Sequence, residues 1–468
     1  MNRVSTLLSL LLLCSISVFA DDVTINATNF PDENFRAVIA TSDIDTNQDG
    51  FLSDEEIAAV TFIKVESQNI SNLTGIEYFT ALSSLWCSDN QLTSLDVSKN
   101  TALKYLYCSK NQLNSLDVSK NTELTQLGCV SNHLTSLDIS KNVALTFLEC
   151  GSNQLTSLDI SKNTALTHLH CSNSQFTSLD VTKNMALTSL VCENDQLITL
   201  DVSKNTALKY LYCSKNQLTS LDVSENTALI ELGFHGNKLN SIDVSKNIAL
   251  EMLECSDNQL ASLDVSKNTA LINLGCMNNQ LTTLDMSNNT ALTYVQCQYN
   301  QLTTLDVSKN TALTNLHCES NQIKDDAMDA LINSLPTVES GTFVVVNKQS
   351  RANEGNICTK EQVATAKAKG WKVMAHTDAG YAEYAGSDTQ EVDPTKVIEA
   401  TCKQVIDGPD GAIYRVTGVC KEIVNSTYGN WYLEDETGTI YIYGTVDSNG
   451  QYPATPPGSH SVSMWVRR

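Results

Sequence analysis

Apolar residues return on a 21-residue beat through more than half of the chain. Written from Leu82, one unit reads LSSLWCSDNQLTSLDVSKNTA, and the next, from Leu103, reads LKYLYCSKNQLNSLDVSKNTE. Two half-units lie inside it, LxxLxCxxNxL and LxxLDVSxNxxL. In each, inward apolar residues alternate with outward ones before an Asn turns the corner. The pattern predicts a mainly β solenoid of about twelve turns over residues 61–323, with strands on both sides of each turn and therefore little curvature. One turn cannot bury its own apolar side, so the core forms only where turns stack.

Cysteines occupy one slot of this unit, at Cys87, Cys108, Cys129, Cys150, Cys171, Cys192, Cys213, Cys255, Cys276, Cys297 and Cys318, with Phe234 where the series skips. Side chains at the same point of successive turns run parallel, whereas a disulfide needs two Cβ atoms facing each other. The ladder therefore reads as small buried hydrophobes, and a disulfide scaffold is the weaker reading. Two Asn series accompany it. One runs from Asn90 to Asn321 and is broken only at Ser174 and Asp195; the other, Asn100 to Asn310, is unbroken. A buried Asn amide bonds backbone groups of the neighbouring turn that would otherwise lack partners, so these positions are architectural.

This nested unit resembles the bacterial leucine-rich repeats called IRREKO and, more distantly, the internalins, over residues 61–323. The resemblance implies a protein-interaction scaffold at the bacterial surface and specifies no ligand.

The flanks add chemistry. Residues 1–20 carry Arg3, an apolar run from Leu7 to Leu13 and Val18-Phe19-Ala20, the layout of a secretory signal cleaved after Ala20. A lipoprotein site at Cys14 is the rival, disfavoured by the large Leu13 before it. No later stretch approaches the ~20 apolar residues of a membrane span, so a secreted or cell-surface protein without membrane insertion is expected. In residues 21–60, the run DTNQDGFLSDEE from Asp45 matches the EF-hand calcium loop. Asp45, Asn47 and Asp49 supply side-chain oxygens, Phe51 its carbonyl, Ser53 a direct or water-borne contact, and Glu56 a bidentate carboxylate. Helices are expected on both sides, the first begun by Pro31, the second from Glu55 to Val60. Paired loops switch partners, whereas a lone loop on a solenoid implies one structural Ca²⁺ that clamps the first turn.

Comparison of the turns locates the candidate binding face. The DVSKNTA half barely changes, and its recurrent Asp and Lys read as a solvated charged edge ahead of a calcium-binding Asp ladder. Variation concentrates on outward strand positions of the Cys half: Trp86, Tyr105, Tyr107, Phe147, Glu149, His168, His170, Tyr210, Tyr212, Glu231, Met252, Glu254, Tyr294, Tyr299 and His317. Exposed aromatics on a rigid sheet are typical of recognition surfaces, although tyrosine also simply suits a pleated surface. His168 and His170 with Glu149 lack a fourth ligand for zinc.

After Ile323 the period breaks into an α/β cap over 324–385, with helices expected at Asp325 to Leu335 and Thr359 to Lys369 and strands at Thr342 to Val346 and Trp371 to Met374. A linker at 386–394 leads to 395–468, where YRVTGVCKEI, GNWYLEDETG and TIYIYGTV read as three strands resembling the opening of an OB-fold domain. The tail QYPATPPGSHSVSMWVRR does not continue that pattern. A shifted reading frame through Gly458 to Arg467, which can encode ESLGIDVGE, would explain the break and leave the module without a closing edge. A bridge between Cys402 and Cys420 is the one disulfide expected.

A formal charge of -23 on 468 residues disfavours non-specific binding of nucleic acid or anionic lipid, since both need clustered Lys and Arg. No nucleophile turn, catalytic metal motif or phosphate loop is present. A non-catalytic, adhesin-like scaffold for a protein partner is the leading expectation, and capture of a glycan on the aromatic rows is the second.

Overall fold

The computed structural model describes residues 22–388 and, beyond them, the strands Ile398–Ala400, Ile413–Asn425, Asn430–Asp435, Gly438–Ile442 and Ser461–Arg467. The signal segment 1–20 and nearly all of the linker lie outside the described residues, as do Cys402 and the side chain of Cys420. The chain divides into two units, residues 1–386 and 387–468.

In the first unit each Cys half forms one three-residue strand, beginning with Ser84–Trp86 and Tyr105–Tyr107 and ending with Asn315–His317. Successive strands pair in parallel and in strict register, Leu85 beside Leu106 beside Leu127. With Phe62–Lys64 before them and the cap strands after, they form a sheet of sixteen strands. Every turn buries the same set: Leu103, Leu106, Cys108, Leu113 and Val118 are wholly inaccessible, and their equivalents along the stack are at most 1% exposed. At about 1.5–3 kcal/mol for each fully buried large side chain, this continuous core holds the solenoid together.

The two Asn series hold the corners. Asn111 Nδ2 donates to the Cys87 carbonyl of the previous turn (3.0 Å) and to Cys108 O (3.1 Å), while its Oδ1 accepts from Leu92 N (3.0 Å). Asn121 Nδ2 donates to Val97 O (2.9 Å) and Asn100 O (2.8 Å). The residue before each Asn of the first series stands at positive φ, as at Lys110 (54°) and Lys215 (53°), so the corner tolerates a left-handed residue that is rarely glycine.

The DVSKNTA side departs from expectation, because it forms turns in place of strands, apart from an isolated bridge between Asp96 and Asp117. The cause is local. Asp96 Oδ1 accepts from Ser98 N (2.9 Å), and every recurrent Asp to Asp306 repeats this bond. Such side-chain-to-backbone turns compete with a β ladder, and Asn100 N→Val97 O and Leu103 N→Asn100 O complete the bend.

At the amino end, helices Glu33–Ile39 and Asp54–Ala59 flank the acidic loop. Asp32 caps the first helix and also accepts from Ser71 N (2.7 Å) and Ser71 Oγ (2.9 Å), which ties the cap to the solenoid. At the other end, helices Asp325–Ser334 and Lys360–Ala368 alternate with strands Gly341–Asn347 and Trp371–Thr377, which extend the parallel sheet. A strand not anticipated from the sequence, Gly380–Glu383, turns back antiparallel on Trp371–Thr377.

The second unit is a five-stranded sheet. The tail expected to break the pattern supplies a strand: Ser461–Arg467 pairs antiparallel with Ile413 to Val419. Val462, Met464 and Val466 alternate with other residues at period two, a strand signal that the Pro-rich run before it obscured.

Candidate interaction face and metal loop

A strand turns alternate side chains to opposite faces, so the inward central Leu leaves the first and third residues of each triplet on the outer face. Trp86, Tyr107, Phe147, Glu149, His170, Tyr212, Glu231, Met252, Glu254 and Tyr294 are half-buried there, and Tyr105, His168 and Tyr210 are exposed. The rows make ring contacts along the stack: Phe62 with Trp86 at 5.5 Å and Trp86 with Tyr107 at 5.7 Å, both edge to face, and Phe147 with His168 at 6.1 Å. Apolar side chains exposed on the opposite flank, such as Val143, Met185 and Ile248, stand singly among threonines. Scattered exposure of that kind is ordinary for a protein surface.

Two of the anticipated face residues are placed differently. Tyr299 is not on a strand; it occupies the left-handed corner slot (φ 56°), where its hydroxyl accepts from Asn347 Nδ2 (2.8 Å) and lies 3.3 Å from Gln349 Oε1 and His376 Nδ1. It serves the carboxy-terminal cap. His317 does face outward but is only 8 % exposed, because Tyr381 of the returning strand packs over it at 5.4 Å. Burial lowers its pKa, with nearby His376 acting in the same direction. The open face therefore ends near Tyr294.

Beneath that cover lies Glu319, which sequence reasoning missed. It is wholly buried, its carboxylate oxygens have no hydrogen-bond partner, and His376 Nδ1 stands 3.9 Å away. Burial pushes its carboxyl up to about 8, and Glu354 adds to the rise. No sequence signal marks it, because its slot is variable and holds Val130, Gly151, Glu193, His235, Met277 and Gln298 beside five serines.

The histidine pair does not build a metal centre. His170 Nδ1 lies 4.0 Å from Glu149 Oε1, whereas His168 Nδ1 pairs with Thr167 Oγ1 at 2.9 Å. Among the described residues no three His, Cys, Asp or Glu side chains converge as a metal cage.

The acidic loop is organised by oxygen atoms. Asp45 Oδ2 accepts from Gly50 N (3.1 Å), Asn47 Oδ1 from Asp49 N (3.0 Å) and Asp49 Oδ1 from Phe51 N (2.9 Å). Glu56 Oε1 accepts from Thr46 N (2.8 Å), and its Oε2 accepts from Ser53 N (3.0 Å) and Ser53 Oγ (3.0 Å) in a capping box. These bonds, chiefly that from Ser53 N, hold the Glu56 carboxyl down at about 2. Gly50 sits at φ 84°, and Phe51–Leu52 pairs antiparallel with Val23–Thr24. Asp45 is 2 % exposed and its Oδ1 has no partner. A buried ionised oxygen is costly unless paired, and an all-oxygen donor set suits a hard cation such as Ca²⁺. The chemistry of the donors Asp45, Asn47, Asp49, the Phe51 carbonyl, Ser53 and Glu56 thus suits the ion they would hold, while the carboxylates of Asp45, Asp49 and Glu56 do not converge as a cage in this structure.

The cysteines of the ladder are free and buried. Burial pushes the Cys108 and Cys213 thiols up to about 12, which leaves them neutral and unreactive. No helix among the described residues is long and apolar enough to cross a membrane.

No protein-family model matches the chain. Internalin J of Listeria monocytogenes is 40% identical over 71 residues, which are 15% of this chain and 8% of that protein, so the match spans a small part of the relative. Among solved structures, the functional domain of internalin J from Listeria monocytogenes, described as including a cysteine ladder, aligns with a TM-score of 0.68 and 28% identity over 92% of this chain and 94% of that one. An internalin F structure from the same species aligns with a TM-score of 0.59 and 25% identity over 67% of this chain and 96% of the other. With its register, buried cysteine ladder and Asn corners, the chain has a leucine-rich-repeat solenoid of about twelve turns that is similar to those of the internalins.

Proposed function

We propose that this is a non-catalytic, secreted or cell-surface scaffold that binds a protein partner through the outer face of its parallel sheet, with one Ca²⁺ fixing the amino-terminal cap. The observation that carries the reading is the contrast between two sides of the same turns. The inward Leu, Cys and Val slots, the corner Asn and the Asp turns hardly vary, while the outer strand positions carry seven of the ten Phe, Trp and Tyr residues between Leu82 and Ile323. Side chains there are set at fixed spacing on a rigid ladder, so little conformational entropy is lost when a partner docks. Tyr and Trp are the residues that dominate such contacts. We read the module 395–468 as an OB-like domain.

The test is site-directed photocrosslinking. A benzophenone amino acid replaces Tyr105 or Tyr210 on the face, or Thr164 or Thr206 on the opposite flank, and each variant is irradiated on intact epithelial and bacterial cells. Protein adducts are expected from the two face positions only. Equal adducts from the flank overturn the assignment, and adducts that deglycosylation abolishes assign the face to glycan.

A further inference from the structure

The outer face carries a longer repeat than the 21-residue turn. Over three successive strands its outward pairs read Tyr105 and Tyr107, Gln126 and Gly128, then Phe147 and Glu149. Five strands further along, 105 residues later, they read Tyr210 and Tyr212, Glu231 and Gly233, then Met252 and Glu254. The two groups match in three dimensions. The Tyr107 ring lies against Gly128, where a Cβ would stand 2.7 Å from ring Cδ1, and the Tyr212 ring lies against Gly233, where the distance would be 2.8 Å. Each phenol is also hydrogen-bonded to the first outward side chain of the next strand, Gln126 in one group and Glu231 in the other.

A tyrosine lying on a bare glycine and tethered at its hydroxyl is a fixed, half-exposed aromatic platform. Ring-on-glycine packing alone stabilises a sheet, but it does not account for the carboxylate that follows at Glu149 and Glu254 in both copies. The opposite arrangement also occurs: Gly275 is covered by the Glu254 carboxylate, with no ring upon it. Among the described residues no Lys or Arg pairs with Glu149, Glu231 or Glu254; the ionic neighbour of Glu149 is His170 at 4.0 Å. Nearby acids raise the pKa of both phenols, Glu149 for Tyr107 and Glu231 with Glu193 for Tyr212, after burial itself. Each platform therefore stands in a negative field on a chain whose formal charge is -23.

We propose that these are two equivalent subsites, five turns or about 24 Å apart at ~4.8 Å per strand, each taking an arginine side chain of a basic protein partner. A guanidinium stacks on an aromatic face and forks to a carboxylate, which a lysine ammonium cannot do. This rests on the strand face being the partner surface, and it names the partner's chemistry and the spacing of its contacts.

The probe is a peptide bearing an Arg-Arg pair at one end or at both ends of a Gly/Ser linker of about 20 residues, whose root-mean-square span matches the spacing. Binding to the full-length protein is measured by fluorescence anisotropy at low salt. The two-headed peptide is expected to bind at least tenfold tighter than the one-headed peptide. Tyr107→Ala or Tyr212→Ala alone should remove that advantage, and both together should abolish binding. Gly128→Ala and Gly233→Ala, which lift the ring without deleting it, should weaken their own sites severalfold, with circular dichroism confirming the fold. Equal affinity of one-headed and two-headed peptides, equal binding of a glutamine-headed control, or indifference to either tyrosine overturns the proposal. If photocrosslinks still arise from the face in that case, the paired arginine sites fall and the partner surface stands; crosslinks from the flank remove both.

Discussion

Asp195 stands in a slot that asparagine fills in most other turns, and its replacement gives a quantitative test of how the solenoid is held. In the next turn Asn216 Nδ2 donates to Cys192 O (2.8 Å) and Cys213 O (3.0 Å). Asp195 has no amide hydrogens to offer. Its Oδ1 accepts from Ser174 N (2.8 Å), but Oδ2 is buried without a partner, and burial pushes the carboxyl from 3.8 up to about 6. The folded state thus binds the proton more tightly than the unfolded chain. By linkage, its contribution is fully present below about pH 4 and is lost as pH rises through 6. A shift of this size corresponds to at most about 3 kcal/mol, and the usual cost of one unsatisfied buried polar group, about 1–3 kcal/mol, agrees. Asp195→Asn restores both donors, so a gain of about 1–3 kcal/mol is expected at pH 8, shrinking towards pH 4. Urea unfolding of both proteins from pH 4 to pH 8 measures it. A variant less stable than the parent at pH 8, or a difference that ignores pH, refutes the reasoning.

The same logic applies to Glu319, whose folded carboxyl is raised from 4.5 to about 8: the parent should lose stability as pH climbs through 8, and in Glu319→Gln this segment of the urea-stability profile should flatten. Calcium should raise the melting temperature of the cap, by up to about 2.7 kcal/mol of stabilisation at a hundredfold excess over Kd, and Asp45→Ala should remove the increment seen between calcium and EGTA scans. The ladder thiols should ignore a thiol reagent at neutral pH until the chain unfolds. Cys213→Ser should cost about 1–3 kcal/mol in urea unfolding, because its hydroxyl would enter a fully buried apolar slot.

Features that repeat with the 21-residue period were legible in the sequence for a simple reason: stacked turns make each residue's environment the same as that of its equivalent one turn away. Cys108 and Cys213 are inward, and Asn111 and Asn121 bond across turns, because their slots admit no other arrangement. The unexpected features come from contacts that break the translation or compete with it. Alternating Leu-Asp-Val suggested a second strand, but the Asp side chain satisfies its own backbone two residues on and bends the chain instead. Tyr299 looked like another face aromatic until its place at the left-handed corner and its cap partners were seen. His317 has the right spacing and the right orientation, yet a strand some sixty residues later covers it. Such non-local cover leaves no trace in local periodicity. The proposed calcium loop from Asp45 to Glu56, by contrast, rests on spacing alone, since twelve contiguous residues contain the whole proposed donor set.

The claim at the centre of this account is that partner contact runs through the outer strand face. Replacing Tyr105, Tyr107, Tyr210 and Tyr212 together by alanine and measuring retention of the protein on the cells that it crosslinks tests this most directly. Retention should fall at least tenfold while the far-ultraviolet circular dichroism and the response to calcium stay those of the parent. Undiminished retention by a folded quadruple variant would contradict the account.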